Sequence, residues 1–200
     1  MRQMLSGDGE VEPNAEHVSE LTSEIYKEDA LSPLIHKLFI LGWEARKDLV
    51  YCLCIFLRQM AGSSYCCVEY LENHSELLDF HVVCYNSKDI ALNCGNMLRE
   101  CIKFPSLAKC ILDSTSFELF FKYVELPNFD VAFNAFATLK DLLTKHETAV
   151  SEFLTAHYEE FFENYEKLLT SKNYVTRRQS LKLLSDILLE TPNSYIMKHF

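Results

Sequence analysis

Glycine and proline are scarce in this sequence, whose 200 residues contain five of each. The five glycines cannot form the GxxxxGK loop or the GxGxxG turn that cradle phosphate groups, so the sequence predicts no nucleotide site. Leu, Phe, Ala and Glu are plentiful, and 48% of the residues are hydrophobic. This balance favours helices joined by short turns and suffices for one sizeable core.

Long apolar runs and a secretion signal are also missing. The longest apolar stretch, residues 49–57, is far shorter than the roughly 20 residues that a membrane helix requires. Residues 1–18 are polar and acidic, without the apolar core of a signal peptide. We therefore expect no membrane partner and a place in the cytoplasm or nucleus, and we assign the chain to the cytoplasm.

Motifs of catalytic or metal chemistry are not found. The sequence has no GxSxG elbow, HExxH pair, CxxC pair or calcium-binding DxDxDG loop, and its seven histidines are scattered. Its eight cysteines lie largely within apolar helical patterns, which is typical of reduced core residues. The sequence thus predicts no enzyme, no metal site, no cofactor and no small-molecule substrate.

Lysine and arginine are fewer than the acidic residues in this sequence. The 29 acidic residues outnumber the 19 lysines and arginines, which gives a formal net charge of −10. Such a surface repels phosphate backbones, so the sequence disfavours nucleic acid as a partner.

One short helical pattern is present four times. It begins at Glu44, Asp89, Asp130 and Tyr174 and reads EARKDLVYCLCIFL, DIALNCGNMLRECI, DVAFNAFATLKDLL and YVTRRQSLKLLSDI. The starts are 45, 41 and 44 residues apart, inside the roughly 40 to 47 residue period of HEAT and armadillo repeats. The sequence therefore predicts an all-α fold, a right-handed superhelical solenoid of armadillo/HEAT-like three-helix repeats.

Each repeated helix is predicted to follow two shorter ones. The predicted helices precede the Glu44, Asp89, Asp130 and Tyr174 helices in pairs: 13–26 and 32–41, 65–73 and 75–86, 105–112 and 115–125, 148–155 and 156–170. Residues 13–200 then form one repeat domain of about four repeats, and residues 1–12 form a polar segment that we expect to be disordered.

Helical periodicity assigns a role to each face of the repeated helices. The apolar positions should face the core: Ala45, Leu49, Leu53; Ile90, Cys94, Leu98; Val131, Ala135, Leu139; Val175, Gln179, Leu183. The more polar positions should line a shared groove: Glu44, Asp48, Cys52; Asp89, Asn93, Met97; Asp130, Asn134, Thr138; Tyr174, Arg178, Lys182.

The predicted groove ends in a basic segment. Arg178 and Lys182 are like charges four residues apart, which is unfavourable on an isolated helix, and Asp186 one turn later offers partial relief. A local violation of this kind is typical of a binding surface. The alternative is a solvated helix face whose charges have no specific partner.

Several segments resemble the calcium-binding protein 39 family, also called mouse protein 25. The similar segments include IALNCGNMLREC, ELPNFDVAFNAFATLKDLLTKH and NYVTRRQSLKLL, and the likeness covers the chain from about residue 5 onward. The resemblance implies a horseshoe of armadillo-like repeats without catalytic activity. It implies a scaffold that grips a Ste20-type protein kinase or a pseudokinase on its concave face and holds the kinase's regulatory helix in the active arrangement.

The resemblance also implies particular contact residues. Tyr174, Arg178 and Lys182 match family positions that contact the kinase partner, and Phe129 matches another concave-face position. Tyr174 would supply rigid contact area, and the two cations would donate to acidic groups or helix carbonyls.

The sequence departs from the family pattern at both ends. Family members have a further amino-terminal helical segment and continue past Phe200 into a pocket for a Trp-Glu-Phe tail, so for this sequence the resemblance does not imply tail binding. Thr191 and Ser194 replace an arginine and an aromatic residue at a contact with a second kinase. A helix beginning near Ser194 would be cut through, which would expose apolar surface.

Two other hypotheses stay open at this stage. In the first, the chain is a general peptide-binding armadillo adaptor, in which Asn93 and Asn134 hold an extended backbone. In the second, it is a degenerate short paralogue that folds poorly and binds nothing.

Overall fold

The computed structural model describes residues 15–61 and 64–190. The predicted polar segment 1–12, the departures at Thr191 and Ser194, and the helix expected near Ser194 lie outside these residues. The chain divides into two compact units, residues 1–101 and 102–200. The described part of each unit contains six α-helices, which is two three-helix repeats.

The first unit combines its six helices with two 3₁₀ turns and a short hairpin. The α-helices are α1 (Ala15–Lys27), α2 (Leu31–His36), α3 (Trp43–Phe56), α4 (Cys66–Asn73), α5 (Ser75–Val83) and α6 (Ala91–Cys101). The 3₁₀ turns are Lys37–Phe39 and Cys84–Asn86. Strands β1 (Met60–Ala61) and β2 (Ser64–Tyr65) pair antiparallel between α3 and α4. The sequence pattern predicts no strand at this place.

The described residues of the second unit form six α-helices joined by turns. Its helices are α7 (Pro105–Leu112), α8 (Leu119–Tyr123), α9 (Phe129–Thr144), α10 (Glu147–Ala156), α11 (Tyr158–Leu169) and α12 (Tyr174–Glu190). The all-α repeat fold predicted from the sequence is confirmed, and α3, α6, α9 and α12 are its four repeated helices. The helix predicted over 115–125 is shorter than expected, because the Ser114 hydroxyl accepts a hydrogen bond from the Ser116 amide at 2.9 Å and holds a turn there.

Side-chain contacts in each unit join residues about one repeat apart. Arg46 donates to the carbonyl of Asp89, 43 positions later. His146 forms a hydrogen bond with the carbonyl of Ile102, 44 positions earlier, and the Ser171 hydroxyl with the carboxylate of Glu125, 46 positions earlier. The Lys109–Glu152 ion pair also spans 43 positions. Stacked repeats place equivalent positions side by side, so these separations reproduce the period seen in the sequence.

Arg46 is the most connected of these side chains. Its guanidinium donates to three carbonyls: Leu38 at 3.1 Å, Phe39 at 3.0 Å and Asp89 at 2.8 Å. Because the acceptors are main-chain oxygens from both repeats of the first unit, this one side chain ties the end of the 3₁₀ turn to the segment before α6.

Arg46→Ala should lower the free energy of unfolding of the first unit by about 2–3 kcal/mol, because three carbonyls lose a charged donor. Urea unfolding followed by circular dichroism would measure the loss. Asp89→Ala is the matched control, since Asp89 accepts through its main chain and its side chain is exposed. A loss as large for Asp89→Ala would contradict this account.

The predicted core stripe is confirmed at nine of its twelve positions. Ala45 and Val175 are exposed instead, and Gln179 is half-buried. In α12 the buried face consists of Thr176, Ser180, Leu183 and Ile187. In the amino-terminal half of this helix, the buried positions therefore lie one residue later than the predicted positions.

Two buried hydrogen bonds hold α12 in this orientation. Thr176 Oγ1 donates to the Val124 carbonyl at 3.3 Å, and the Tyr165 hydroxyl donates to the Ser180 carbonyl at 2.8 Å.

The predicted polar stripe is wrong at its third position in three of the four helices. Cys52, Met97 and Thr138 are buried, because a residue eight positions along a helix is rotated by roughly 80° from the first, here toward the core. In α12 all three positions are exposed. Asp186 does not relieve Lys182, since its carboxylate lies 3.4 Å from the ammonium of Lys140 on α9.

Candidate protein-binding site on α9 and α12

The first residues of α9 present an exposed aromatic pair. Asn128 caps the helix, its side-chain oxygen accepting from the Val131 amide at 3.2 Å. Phe129 follows with 64% of its surface exposed, and its ring stacks on Phe133 one turn later, with centroids 6.0 Å apart. Two exposed rings at the start of a helix supply a rigid apolar surface.

The start of α12 is fixed by hydrogen bonds on both sides. Asn173 Oδ1 accepts from the Val175 amide at 3.0 Å, which caps the helix. The Ser171 hydroxyl lies 2.9 and 3.0 Å from the two carboxylate oxygens of Glu125. The Thr176 bond to the Val124 carbonyl attaches the first turn to the end of α8. These bonds attach the start of α12 to the segment that links α8 to α9.

A small apolar pocket lies between these two helix starts. The residues that shape it include Val124, Phe129, Phe133, Phe136, Val175 and Gln179. Phe129 and Phe133 on one side and Val175 on the other are exposed as well as lining it. An apolar side chain of a partner could enter this pocket.

The three predicted residues of α12 lie beside the pocket on the outer face of the helix. Tyr174 is 62% exposed, and Arg178 and Lys182 are exposed one and two turns later. Each step of four residues rotates the side chain by about 40°, so the three follow a strip that turns gradually around the exposed side of α12. Within residues 15–61 and 64–190, neither cation forms an ion pair. Both are therefore available to acidic groups.

Two further side chains belong to this surface and were not predicted. Arg177 lies with its guanidinium carbon 5.9 Å from the centroid of the Tyr174 ring and donates to the Ser171 carbonyl at 3.3 Å. It thus holds the aromatic ring and adds positive charge. Phe133 could have been found from its place one helical turn after Phe129.

Asn134 does not lie in this pocket. It is half-buried, and five residues after Phe129 it sits roughly 140° around α9 from that ring. Its carbonyl accepts from the Thr138 hydroxyl at 3.1 Å, inside its own helix. The structure thus brings together Phe129 with the α12 residues and leaves Asn134 on another flank of α9.

Neither a metal-binding cluster nor a membrane-spanning helix is found among the described residues. Within 15–61 and 64–190, no group of three or more His, Cys, Asp or Glu side chains could hold a metal ion. No helix in those ranges combines the length and the apolar character needed to cross a membrane. The exposed aromatic and cationic side chains of α9 and α12 are chemically suited to contact another protein.

Comparison with known proteins gives a consistent result. Residues 1–200 match the family model described as Mo25-like. The chain is 46% identical over 200 residues to a calcium-binding protein 39-like protein of Mus musculus and 44% identical over 201 residues to a putative MO25-like protein of Arabidopsis thaliana. It is 38% identical over 200 residues to a Mo25-like protein of Schizosaccharomyces pombe.

These matches cover the chain fully and the relatives in part. Each covers 100% of this chain but 59 to 61% of the relative, so the chain spans about three fifths of the length of these proteins. A crystal structure of an engineered protein is similar with a TM-score of 0.55 and 16% identity, over 93% of this chain and 69% of that one. At that identity the likeness concerns the fold alone.

Proposed function

Because the chain belongs to the Mo25-like family, we propose that it is a non-catalytic scaffold of the cytoplasm that binds a Ste20-type protein kinase or a pseudokinase. The surface formed by Phe129, Tyr174, Arg178 and Lys182 is the contact that we assign to that partner. Binding favours the active arrangement of the kinase, because the scaffold interacts with that arrangement more strongly than with the inactive one.

One observation carries this proposal: a small apolar pocket between α9 and α12 adjoins exposed cations in the first half of α12, and these cations form no ion pair within the described residues. Aromatic and arginine side chains contribute most to affinity at protein interfaces, especially around a pocket that excludes water. The apolar residues would bury a side chain of the partner, while Arg178 and Lys182 would donate to acidic side chains or to carbonyls at a helix end. The net charge of −10 over the chain makes this cationic strip distinctive.

Arg178→Ala/Lys182→Ala should weaken kinase binding by about tenfold or more, since two donors at the centre of the contact are lost. Surface plasmon resonance with a panel of purified Ste20-type kinase and pseudokinase domains would measure the dissociation constants. Both side chains are exposed and form no ion pair with another described residue, so we expect the variant to fold as the wild type does.

A matched control removes the same charge elsewhere in the second unit. Lys122→Ala/Lys167→Ala deletes two exposed cations from α8 and α11, and it should leave the affinity nearly unchanged. Equal weakening by both double variants would indicate a non-specific charge effect and contradict the assigned contact. Failure of every domain in the panel to bind the wild type would contradict the function itself.

The other two hypotheses have less support from the structure. A peptide adaptor would hold an extended backbone with Asn134, which lies away from the pocket, and it would bind unfolded peptides as well as kinase domains. A degenerate paralogue would melt broadly and without cooperativity. The dense repeat-to-repeat hydrogen bonds within each unit favour a cooperative transition.

A further inference from the structure

A second recess lies in the second unit, among helices α7, α8, α10 and α11 and away from the surface assigned to the kinase. It encloses about 330 Å³, which is the lower end of the size range of ligand pockets. Its lining combines a buried aromatic floor with acidic side chains. Nothing in the proposed kinase contact uses these residues.

The floor is a closed circuit of four phenylalanines. Phe117 packs edge-to-face on Phe121 at 5.9 Å, Phe121 on Phe161 at 5.7 Å, Phe161 on Phe153 at 6.0 Å, and Phe153 on Phe117 at 4.9 Å. All four rings are buried. Alternating edges and faces form a stiff apolar base whose π-faces attract cations.

The rim is acidic. Asp113, Glu118 and Glu160 line the recess, and all three are exposed to solvent on their outer side. Within the described part of the chain no lysine or arginine lines it. The nearby basic residues are Lys167, which donates to the side-chain oxygen of Asn164 at 2.9 Å, and His157, which lines the recess with its Nδ1 3.9 Å from a carboxylate oxygen of Glu160. Negative charge therefore predominates at the opening.

Two of the rim carboxyls, Glu118 and Glu160, lie within hydrogen-bonding reach of each other. A hydrogen bond with Glu160 raises the pKa of Glu118, with burial and the charge of Glu160 adding to the shift and Lys167 and His157 opposing it. Two carboxylates so close together repel each other once both are ionised. A cation placed between them would remove that repulsion.

We propose that this recess binds an arginine side chain presented by a basic segment of a partner protein. The guanidinium would donate to Glu118 and Glu160 in the forked geometry that suits paired carboxylate oxygens. Its flat face and the aliphatic stem would lie over the phenylalanine floor. The exposed rim and buried floor suit a long side chain that enters from solvent, and the acidic net charge of the chain favours a basic segment.

The test is a titration of protein labelled with ¹³C-phenylalanine, using the capped tripeptide acetyl-Gly-Arg-Gly-amide and its citrulline analogue, followed by nuclear magnetic resonance. The arginine peptide should shift the signals of Phe121 and Phe161 saturably at concentrations up to about 20 mM, and the neutral citrulline peptide should not. Raising the salt concentration should weaken the response, because part of the attraction is between charges.

Glu118→Gln/Glu160→Gln should weaken binding by about tenfold or more while keeping the shape of the recess. Glu159→Gln/Glu163→Gln is the matched control, since it removes two exposed carboxylates of α11 that do not line the recess. Four results would overturn the proposal: no saturable shift, equal binding of the citrulline peptide, equal binding by the Glu118→Gln/Glu160→Gln variant, or stronger binding of tetramethylammonium than of the arginine peptide.

Discussion

As the pH falls from 6.5 to 4, we expect His81 to reduce the free energy of unfolding of the first unit by about 3 kcal/mol. His81 is 1% exposed on α5. Its Nδ1 is 2.5 Å from the Leu77 carbonyl and its Nε2 is 3.2 Å from the sulfur of Met97. Burial lowers its pKa from 6.5 to about 4, with a smaller opposing effect from the Leu77 bond and a small additional lowering by His36.

The sign of this effect follows from which state takes the proton first. The unfolded chain binds it near pH 6.5, whereas the folded protein binds it only near pH 4. The stabilising contribution is therefore present above pH 6.5 and is lost as the pH falls toward 4. Two and a half pH units at about 1.4 kcal/mol each set a limit of about 3.5 kcal/mol, and partial protonation at both ends of the pH range reduces the change to about 3 kcal/mol.

Urea unfolding at several pH values would measure this loss as a difference between wild type and His81→Leu, because other acidic groups titrate in both proteins. The variant should lack the His81 part of the pH dependence, so the two stability curves should approach each other in acid. His17→Gln, at an exposed position of α1, should follow the wild-type curve. Parallel curves for wild type and His81→Leu would show that His81 is not the group responsible.

Phe161→Ala should lower the free energy of unfolding of the second unit by about 3–5 kcal/mol, the cost of a large cavity in a packed core. Phe161 is 2% exposed. Its ring contacts Phe121 on α8, Phe153 on α10, and Tyr165 on its own helix, with centroids 5.7, 6.0 and 5.4 Å apart. Removal of the ring leaves α8 and α10 without the side chain of α11 that contacts both.

Phe162→Ala provides the comparison, because the adjacent ring is only half-buried and packs on Tyr158 at 4.7 Å on the outer side of α11. Its cost should be near 1 kcal/mol. Thermal and urea unfolding of both variants would rank them. Similar losses for the two would contradict the assignment of Phe161, rather than Phe162, to the packed core of the second unit.

The repeat architecture could be predicted from the sequence because its signal is redundant. Four copies of one pattern fix the period, and apolar positions three and four residues apart fix the helices around Leu53, Leu98 and Leu139. The hydrophobic pattern did not predict the buried face of α12, where small polar residues are buried. Thr176 and Ser180 are buried, the first with its hydroxyl bonded to the Val124 carbonyl and the second with its main-chain carbonyl accepting from the Tyr165 hydroxyl. Hydrophobic periodicity cannot detect such positions.

The candidate sites differ in how far the sequence indicated them. Charge and aromatic residues at the start of α12 pointed to Tyr174, Arg178 and Lys182, which the structure places on one exposed strip. The acidic recess could not be predicted, because its two central carboxylates, Glu118 and Glu160, are 42 positions apart in the chain. Their approach depends on the stacking of one repeat on the next, which a local pattern does not reveal.

The chain's single indole, at Trp43, begins α3 with its ring largely open to solvent and the Lys47 ammonium 4.3 Å above its centroid. Fluorescence excited at the red edge of protein absorption therefore originates in one half of the polypeptide, while the other half contributes none. If the two halves unfold as one cooperative body, tryptophan emission and circular dichroism will give the same unfolding midpoint. If the halves unfold independently, the two signals will give different midpoints.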